Sequence, residues 1–296
     1  MNSKIKDFFH LHLIVFIWGF TAVLGKLIKI DALPLVWYRM LIAVVLVFAF
    51  VLLKRFSLKT TRKTLLMMLM GGVLIAIHWV TFFWAIKIST VSVALATMST
   101  GALFTAVLEP IFYKRKFVWY ELFFGLLVIT GLLIIFQVET QYAYGISLAL
   151  ISSLLAAIFS LINGKLVYRA KPAVISFYEL GAGVLFLSIY LFTTSGFSQG
   201  FFELSNADWG YIFILASVCT AYAFIAAVKV MRYLSPYTVM LTINLEPLYG
   251  IVLAYFILGD EEKMSPLFYL GAGIILATVI ANGILTNYKK KNSIKN

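Results

Sequence analysis

The chain has 296 residues, of which 62% are hydrophobic and only 12% are charged, and its mean hydropathy is +1.00. Soluble domains are about half apolar and about one quarter charged, so this composition excludes a water-soluble fold. The net charge of +12 does not by itself indicate nucleic acid, because the basic residues stand between apolar segments, where they set membrane topology.

Ten apolar segments follow one another with short connections, and each can cross a bilayer as a helix of about 20 residues. The first five occupy residues 11–28, 33–53, 65–86, 91–112 and 118–136. The second five occupy residues 144–167, 173–192, 209–230, 236–258 and 266–285. The sequence therefore predicts an all-α polytopic membrane protein with ten transmembrane helices.

Basic residues occur in alternate connections, and this pattern predicts the orientation of the chain. Lys and Arg are retained on the cytoplasmic side of a membrane, whereas Asp and Glu contribute little to orientation. The basic connections are residues 4–6, 54–63, 114–116, 165–171 and 232, together with the tail at 289–295. We therefore expect both termini in the cytoplasm of a bacterial-type cell, with the protein in its inner membrane.

The two halves of the chain are similar, which predicts two structural units, residues 1–138 and 139–296. Matching residues recur at an almost constant offset, namely Gly25 with Gly164, Tyr38 with Phe177, Ser89 with Ser235, Val93 with Val239 and Gly125 with Gly271. Each unit holds five spans, an odd number, so the second unit must enter the membrane from the opposite side. Many secondary transporters use such an inverted repeat to place one substrate site near the midplane.

Several short motifs carry a resemblance to a known family. They are Trp18-Gly19, Lys26, Arg39 and Ala43 in the first unit, and Leu245-Glu246-Pro247, Leu258-Gly259-Asp260-Glu261 and Gly271 in the second. In order and spacing they resemble the EamA-like family of the drug/metabolite transporter superfamily, over essentially the whole chain. The first unit departs from the pattern, because Thr100-Gly101 stands at the place of Glu246-Pro247 and the basic residues 114–116 replace an acidic one. The resemblance implies a ten-span carrier that commonly exports amino acids or similar small metabolites.

Glu246 is the strongest candidate for a residue of the transport site. It lies ten residues after the start of segment 236–258, and therefore about 15 Å into a hydrocarbon core about 30 Å thick. An ionisable group at this depth is costly, so it needs a partner or a water-filled cavity. Thr238, Thr242 and Tyr249 fall on the same helical face and extend it into a polar stripe. The alternative is a protonated Glu246 that bonds the carbonyl freed by the following proline and serves packing alone.

Polar and aromatic residues of other spans are candidate walls of the same cavity. Ser92 and Thr100 occupy the positions in the first unit that match the polar stripe of the second. Trp18 and Trp79 are too deep for the membrane interface, where tryptophan is usually enriched. His78 is equally deep, although a lone buried histidine is more often a hydrogen-bonded packing residue than a ligand.

Three charged residues within spans have more than one interpretation. Arg39 is a candidate for the cavity and for an outer gate, and Glu179 is a candidate for an inner gate, but pairing with other polar groups explains both equally well. Lys229 lies about one turn from Arg232 at the cytoplasmic boundary. Its ammonium group either faces the cavity or extends along its stem to the membrane surface.

The sequence contains no phosphate-binding loop, metal-ligand cluster or nucleophile motif, so we expect no catalytic residue, no metal, no cofactor and no enzymatic activity. The predicted partners are a small-molecule solute and the lipid bilayer, without nucleic acid. We expect a secondary transporter that exports a small metabolite by alternating access, with Glu246 as the proton carrier if transport is proton-coupled. The alternatives are a carrier of sugar phosphates or nucleotide sugars, and a non-transporting membrane partner or lipid-handling protein. The oligomeric state is open, and a monomer is compatible with the sequence.

Overall fold

The computed structural model describes residues 3–114, 116, 119–234, 239, 242–243 and 245–293. Its helices are α1 Ser3–Leu27, α2 Ala32–Leu53, α3 Arg62–Ile88, α4 Val91–Met98, α5 Gly101–Tyr113, α6 Trp119–Val138, α7 Ala143–Leu166, α8 Pro172–Thr193, α9 Asn206–Ala216, α10 Ala223–Val230, α11 Glu246–Leu258 and α12 Pro266–Ser293. A π-helical segment, Ser217–Tyr222, joins α9 to α10, and short 3-10 turns occupy Thr140–Tyr142, Gln199–Phe202 and Gly259–Glu262. These ranges contain no strand, so the predicted all-α class is confirmed for them.

Within the described residues, seven segments are helical, long and apolar enough to cross a membrane. They are Phe9–Leu27, Ala32–Leu53, Arg62–Ile88, Val91–Tyr113, Thr140–Leu166, Pro172–Thr193 and Asn206–Val230. Shorter apolar stretches, Phe123–Val138 and Pro266–Thr278, belong to α6 and α12. Large apolar side chains such as Leu53, Phe192 and Phe256 are exposed on the outside of the bundle, as a multi-pass protein surrounded by lipid requires.

The segment 91–112, which the sequence predicts as one span, is divided between α4 and α5. The backbone N–H groups of Ser99 and Thr100 bond carbonyls three residues earlier, so the last turn of α4 tightens and the helix ends. The Thr100 hydroxyl also donates to a carbonyl of this turn, at 2.8 Å. α11 begins at Glu246, which aligns with Thr100 in the comparison of the two halves. Pro247 lies in the first turn of α11, where its missing N–H leaves no hydrogen bond unmade.

Glycine pairs let several of the helices approach closely. α6 packs against α12, and a Cβ on Gly131 would lie 2.7 Å from the carbonyl oxygen of Gly271. α1 packs against α11, and a Cβ on Gly250 would lie 3.2 Å from the carbonyl oxygen of Gly19. Small residues of this kind allow close helix–helix packing inside membranes, where no hydrophobic force drives helices together.

Three acidic side chains in or next to connections between helices bind N–H or hydroxyl groups of other segments. Glu262 accepts from two backbone N–H groups in the first turn of α4, both at 2.9 Å. Glu139 accepts from the Ser265 hydroxyl at 2.9 Å, immediately before α12, and Asp208 accepts from the Lys29 backbone N–H at 2.7 Å. A carboxylate beside a helix N-terminus is favoured by the unpaired N–H groups and by the helix dipole.

Candidate functional site

A cavity of about 120 Å³ lies inside the bundle, between faces of α1, α2, α3, α4, α7, α10 and α11. Most of its wall is apolar or aromatic, and polar side chains enter it at a few points. The residues of the sequence-predicted site that line it are Trp18, Arg39, His78, Trp79 and Glu246. The starts of α5 and α11 reach the cavity as well, because Gly101 and Pro247 form part of its wall. Non-helical backbone at membrane depth is tolerated where it lines such a cavity.

Arg39 extends from α2 into the cavity wall and is almost fully buried, with 2% of its surface exposed. Its Nε donates to the Thr220 hydroxyl at 2.6 Å. Its Cζ lies 3.9 Å from the centre of the Trp79 ring and 5.5 Å from that of Phe83, so aromatic faces stabilise the cation. Within the described part of the chain, Nη1 has no hydrogen-bond partner. Arg39 therefore offers a buried donor beside the cavity.

The π-helical segment Ser217–Tyr222 holds two of these cavity residues in place. The Thr220 hydroxyl donates to the carbonyl five residues earlier at 2.7 Å and accepts from Arg39. The Trp18 indole N–H donates to the Cys219 carbonyl at 3.1 Å. A π-helical turn departs from the regular pattern of backbone bonding and is frequent at functional sites. Thr220 cannot be identified from the sequence, because a single threonine in an apolar span has no distinctive pattern.

Glu246 brings a carboxyl group to the same cavity from the first turn of α11. The helix N-terminus favours a negative charge there. Glu246 and Arg39 also act on each other electrostatically across the cavity. The cavity thus combines one cationic and one acidic side chain on an otherwise apolar and aromatic wall.

His78 lies on α3 and is fixed by hydrogen bonds to α7. Its Nδ1 lies 2.9 Å from the Ser152 carbonyl oxygen, and the Ser152 hydroxyl donates to the His78 carbonyl at 2.9 Å. A carbonyl oxygen can only accept, so Nδ1 carries the proton. The other ring nitrogen, Nε2, is then the one that a ligand in the cavity can use. The ring stacks on Phe82, another residue of the wall.

Several predicted site residues are engaged elsewhere. Thr242 is buried, with 5% of its surface exposed, and Tyr249 packs edge-on against Phe16 at a ring distance of 5.6 Å. The Ser92 hydroxyl donates to the Glu262 carboxylate at 2.8 Å. None of these residues belongs to the described cavity wall.

Four further predictions have different outcomes. Thr100 bonds the Ser153 hydroxyl at 3.1 Å, one residue before the cavity-lining start of α5. Thr238 lies outside the described residues. Lys229 is exposed on α10 and is not part of the described cavity wall, an arrangement compatible with a side chain that reaches the surface. Glu179 is fully buried where α8 meets α3, and it bonds Asn163 of α7.

The described residues bring together no group of three His, Cys, Asp or Glu side chains that could hold a metal ion. A family model for the EamA-like transporter family matches residues 8–137 and 143–284. The chain belongs to the EamA-like transporter family. The family resemblance that the sequence predicts is thereby confirmed.

Similar proteins in the EamA-like family come from a bacterium and an archaeon. "Uncharacterized transporter YxxF" of Bacillus subtilis (strain 168) is 22% identical over 234 residues, covering 76% of this chain and 73% of that protein. An "Uncharacterized transporter" of Archaeoglobus fulgidus is 24% identical over 299 residues, covering 98% and 99%. A solved crystal structure shares the fold with a TM-score of 0.70 at 13% identity, covering 96% of this chain and 99% of the other. The chain is thus a multi-pass membrane protein of a transporter family.

Proposed function

We propose that this EamA-like protein is a secondary transporter that exports a small zwitterionic metabolite, such as an amino acid, by alternating access. The observation that carries this proposal is the pair formed by Arg39 and Glu246 on the wall of one cavity. The unpartnered Nη1 of Arg39 is a donor for the carboxylate of the solute. The carboxylate of Glu246 is an acceptor for the ammonium group, and the aromatic wall receives an apolar side chain.

The size of the cavity favours a small solute. Pockets for drug-sized ligands measure about 300–1,000 Å³, whereas an engineered cavity of about 150 Å³ in another protein binds benzene. A cavity of about 120 Å³ therefore suits a compact metabolite better than a nucleotide sugar. The position of Lys229 also weighs against the sugar-phosphate alternative, because this second cation is exposed and leaves Arg39 to bind an anion without it.

The proposed layout is ten spans in two inverted units, residues 1–138 and 139–296, in a bacterial-type inner membrane with both termini in the cytoplasm. Two features support it. α5 and α11 begin within one residue of aligned positions and both touch the cavity, as expected when two related halves surround one site. The basic connection that contains Lys54 and Arg55 is exposed, as is expected of a cytoplasmic loop. A monomer contains the whole cavity.

The proposal is tested with purified protein in liposomes that are loaded with a panel of the twenty unlabelled amino acids. Uptake of each labelled amino acid by exchange is measured. We expect exchange of at least one amino acid, and we expect Glu246→Gln and Arg39→Lys each to weaken its apparent affinity about 10- to 100-fold, because each variant removes a charge-assisted contact. Arg39→Lys keeps the charge and loses the fork of donors that binds a carboxylate.

Matched controls use the same substitutions at exposed sites. Glu261→Gln and Arg55→Lys are expected to exchange like the unaltered protein. Preferential exchange of sugar phosphates would replace the proposal with the alternative carrier. Absence of exchange for every solute tested would favour the non-transporting alternative.

A further inference from the structure

A buried acid–amide pair lies apart from the two charged residues of the cavity. Glu179 on α8 and Asn163 on α7 both have 0% of their surface exposed. The Asn163 Nδ2 donates to the Glu179 Oε1 at 2.9 Å. Among the described residues, the other carboxyl oxygen of Glu179, Oε2, and the amide oxygen of Asn163, Oδ1, have no hydrogen-bond partner. Two acceptors are thus buried without a donor.

Within the ranges that the structure describes, an ionised Glu179 would have no counter-charge in this position. Its neighbours on α3 are Gly71 and Gly72, whose added Cβ atoms would lie 2.6 Å from Oε1 and 2.2 Å from its backbone oxygen. This contact leaves no room for a cation or water on that side. Burial of a carboxylate without a partner is strongly unfavourable.

The titratable and charged side chains on the packed helices are all engaged or placed elsewhere. They are Tyr38 and Arg39 on α2, Arg62, Lys63, His78 and Lys87 on α3, Tyr144 and Lys165 on α7, and Lys229 on α10. In the described part of the chain, none of them bonds Glu179. The surroundings of Glu179 are a polar amide and close-packed apolar groups.

A single proton would satisfy both acceptors. Bound to Oε2, it turns that atom into a donor, and Asn163 Oδ1 is the unpaired acceptor on the amide that already bonds Oε1. The carboxyl and the amide would then exchange two hydrogen bonds. This neutral pair tolerates burial, whereas the ionised pair does not.

Ser160 is the candidate link from this pair to the cavity. It precedes Asn163 by one turn of α7, its hydroxyl is buried without a partner among the described residues, and it lines the cavity. A hydroxyl can accept a proton on one side and donate on the other, so it can connect cavity water to the carboxyl group.

We propose that the Glu179–Asn163 pair is a proton-binding site through which this protein couples solute movement to the proton gradient. This inference rests on the proposed transport function, and it assigns to Glu179 the proton role that the sequence assigned to Glu246. The carboxylate takes a proton from hydronium in the cavity water by way of Ser160, which leaves water behind, when α8 packs against α3 and α7. When the helices separate, the carboxyl group returns the proton to water on the opposite side, so one proton crosses per cycle and no other covalent bond changes.

The test compares exchange with accumulation driven by a pH gradient in the same liposomes. We expect Glu179→Gln to abolish the accumulation that the pH gradient drives and to keep exchange within about threefold, because the glutamine amide mimics the protonated acid and exchange moves no net proton. Glu246→Gln should instead weaken the apparent affinity in exchange about 10- to 100-fold. Glu261→Gln, at an exposed position, is the matched control and should retain both activities.

Two more variants keep the inference falsifiable if Glu179→Gln does not fold. Glu179→Asp keeps the acid but withdraws it from Asn163, and Ser160→Ala removes the hydroxyl link; both should slow proton-driven accumulation more than exchange. Undiminished proton-driven accumulation in these variants would overturn the inference. If the unaltered protein exchanges amino acids but does not respond to a pH gradient, the inference of a proton site is refuted and the proposed transport function stands. If it exchanges none, the transport function fails as well.

Discussion

Glu262 shows how one acidic residue can connect two distant parts of the chain. Its carboxylate accepts from the backbone N–H groups of Val91 and Ser92 and from the Ser92 hydroxyl, at 2.8–2.9 Å, and the side chain is 1% exposed. These bonds join the connection before α12 to the start of α4. Hydrogen bonds to a charged group contribute about 1.5–3 kcal/mol each, less the cost of burying the charge.

We therefore expect Glu262→Ala to lower the free energy of unfolding by about 2–4 kcal/mol, because three donors lose their acceptor at a helix N-terminus. The measurement is the apparent melting temperature of purified protein in detergent. Glu261→Ala, one residue earlier and exposed, is the control and should leave the temperature unchanged. Equal losses in the two variants would contradict the capping role.

At the level of residues, depth in the membrane was the useful signal. Trp18, Arg39 and Glu246 are costly or unusual at their depth, and each lines the cavity. Thr220 and Asn163 were not identified, because short polar side chains are common in spans and usually bond their own helix. Their roles depend on which helix lies opposite, and a pattern within one helix carries no such information.

Close contact between α3 and α8 depends on a glycine at a position where any side chain would strike backbone. A Cβ at Gly72 would lie 2.2 Å from the Glu179 carbonyl oxygen and 2.7 Å from the Ala182 Cβ. Gly273 on α12 has nothing within 4 Å of the same position. The same glycine-to-alanine substitution can therefore be compared at Gly72, where the contact is tight, and at Gly273, where there is open space.

We expect Gly72→Ala to destabilise the protein by about 1–3 kcal/mol or more, because α3 and α8 must separate to admit the methyl group. Gly273→Ala should be neutral or stabilising, since alanine is the better helix former by about 1 kcal/mol. The stability of both variants is measured by the yield of monodisperse protein and by the apparent melting temperature. A Gly72→Ala variant as stable as the control would show that this contact is looser than described.

At the level of elements, composition predicts helical spans well but not where they break. The break between α4 and α5 lies at Ser99 and Thr100, whose backbone N–H groups donate to carbonyls three residues earlier instead of only to those four residues earlier. Serine and threonine occur in many unbroken spans, so no sequence rule distinguishes these two. The segment Ser217–Tyr222 was equally invisible, because a π-helical turn has no composition of its own.

The orientation of the whole molecule can be tested through its basic and acidic connections. Cys219 is the sole cysteine and is buried, so Cys219→Ala supplies a background without thiols. In that background Asp260→Cys and Lys59→Cys each place one thiol at an exposed position on opposite predicted faces. The accessibility of each thiol from outside the cell then reports on which side of the membrane that residue lies.

In intact cells we expect a membrane-impermeant maleimide to label Asp260→Cys and to label Lys59→Cys only after permeabilisation, because basic connections stay in the cytoplasm. Labelling is read as a mass shift of the purified protein. The reverse order would invert the proposed orientation. Labelling of both thiols in intact cells would contradict the placement of residues 59 and 260 on opposite faces of the membrane.

At the scale of the molecule, composition predicts the membrane class and the motifs predict the family. These two signals are spread over the whole chain, so an error in the bounds of one segment does not change either prediction. The cavity could not be predicted in this way. Its wall combines residues from α1 with residues from α11, which are more than 200 positions apart in the sequence. Only the packing of the helices decides which polar residues meet.

The π-helical segment has a consequence for the register of the helix that follows it. Adjacent residues of an α-helix are separated by about 100° around the axis, so removing one residue within Ser217–Tyr222 would rotate all of α10 by about that angle. Phe224 and Val228 would then leave the cavity wall, while α9 would stay in place. A one-residue deletion or insertion there changes which side chains meet the solute without altering any of them, and so offers relatives a short route to a different specificity.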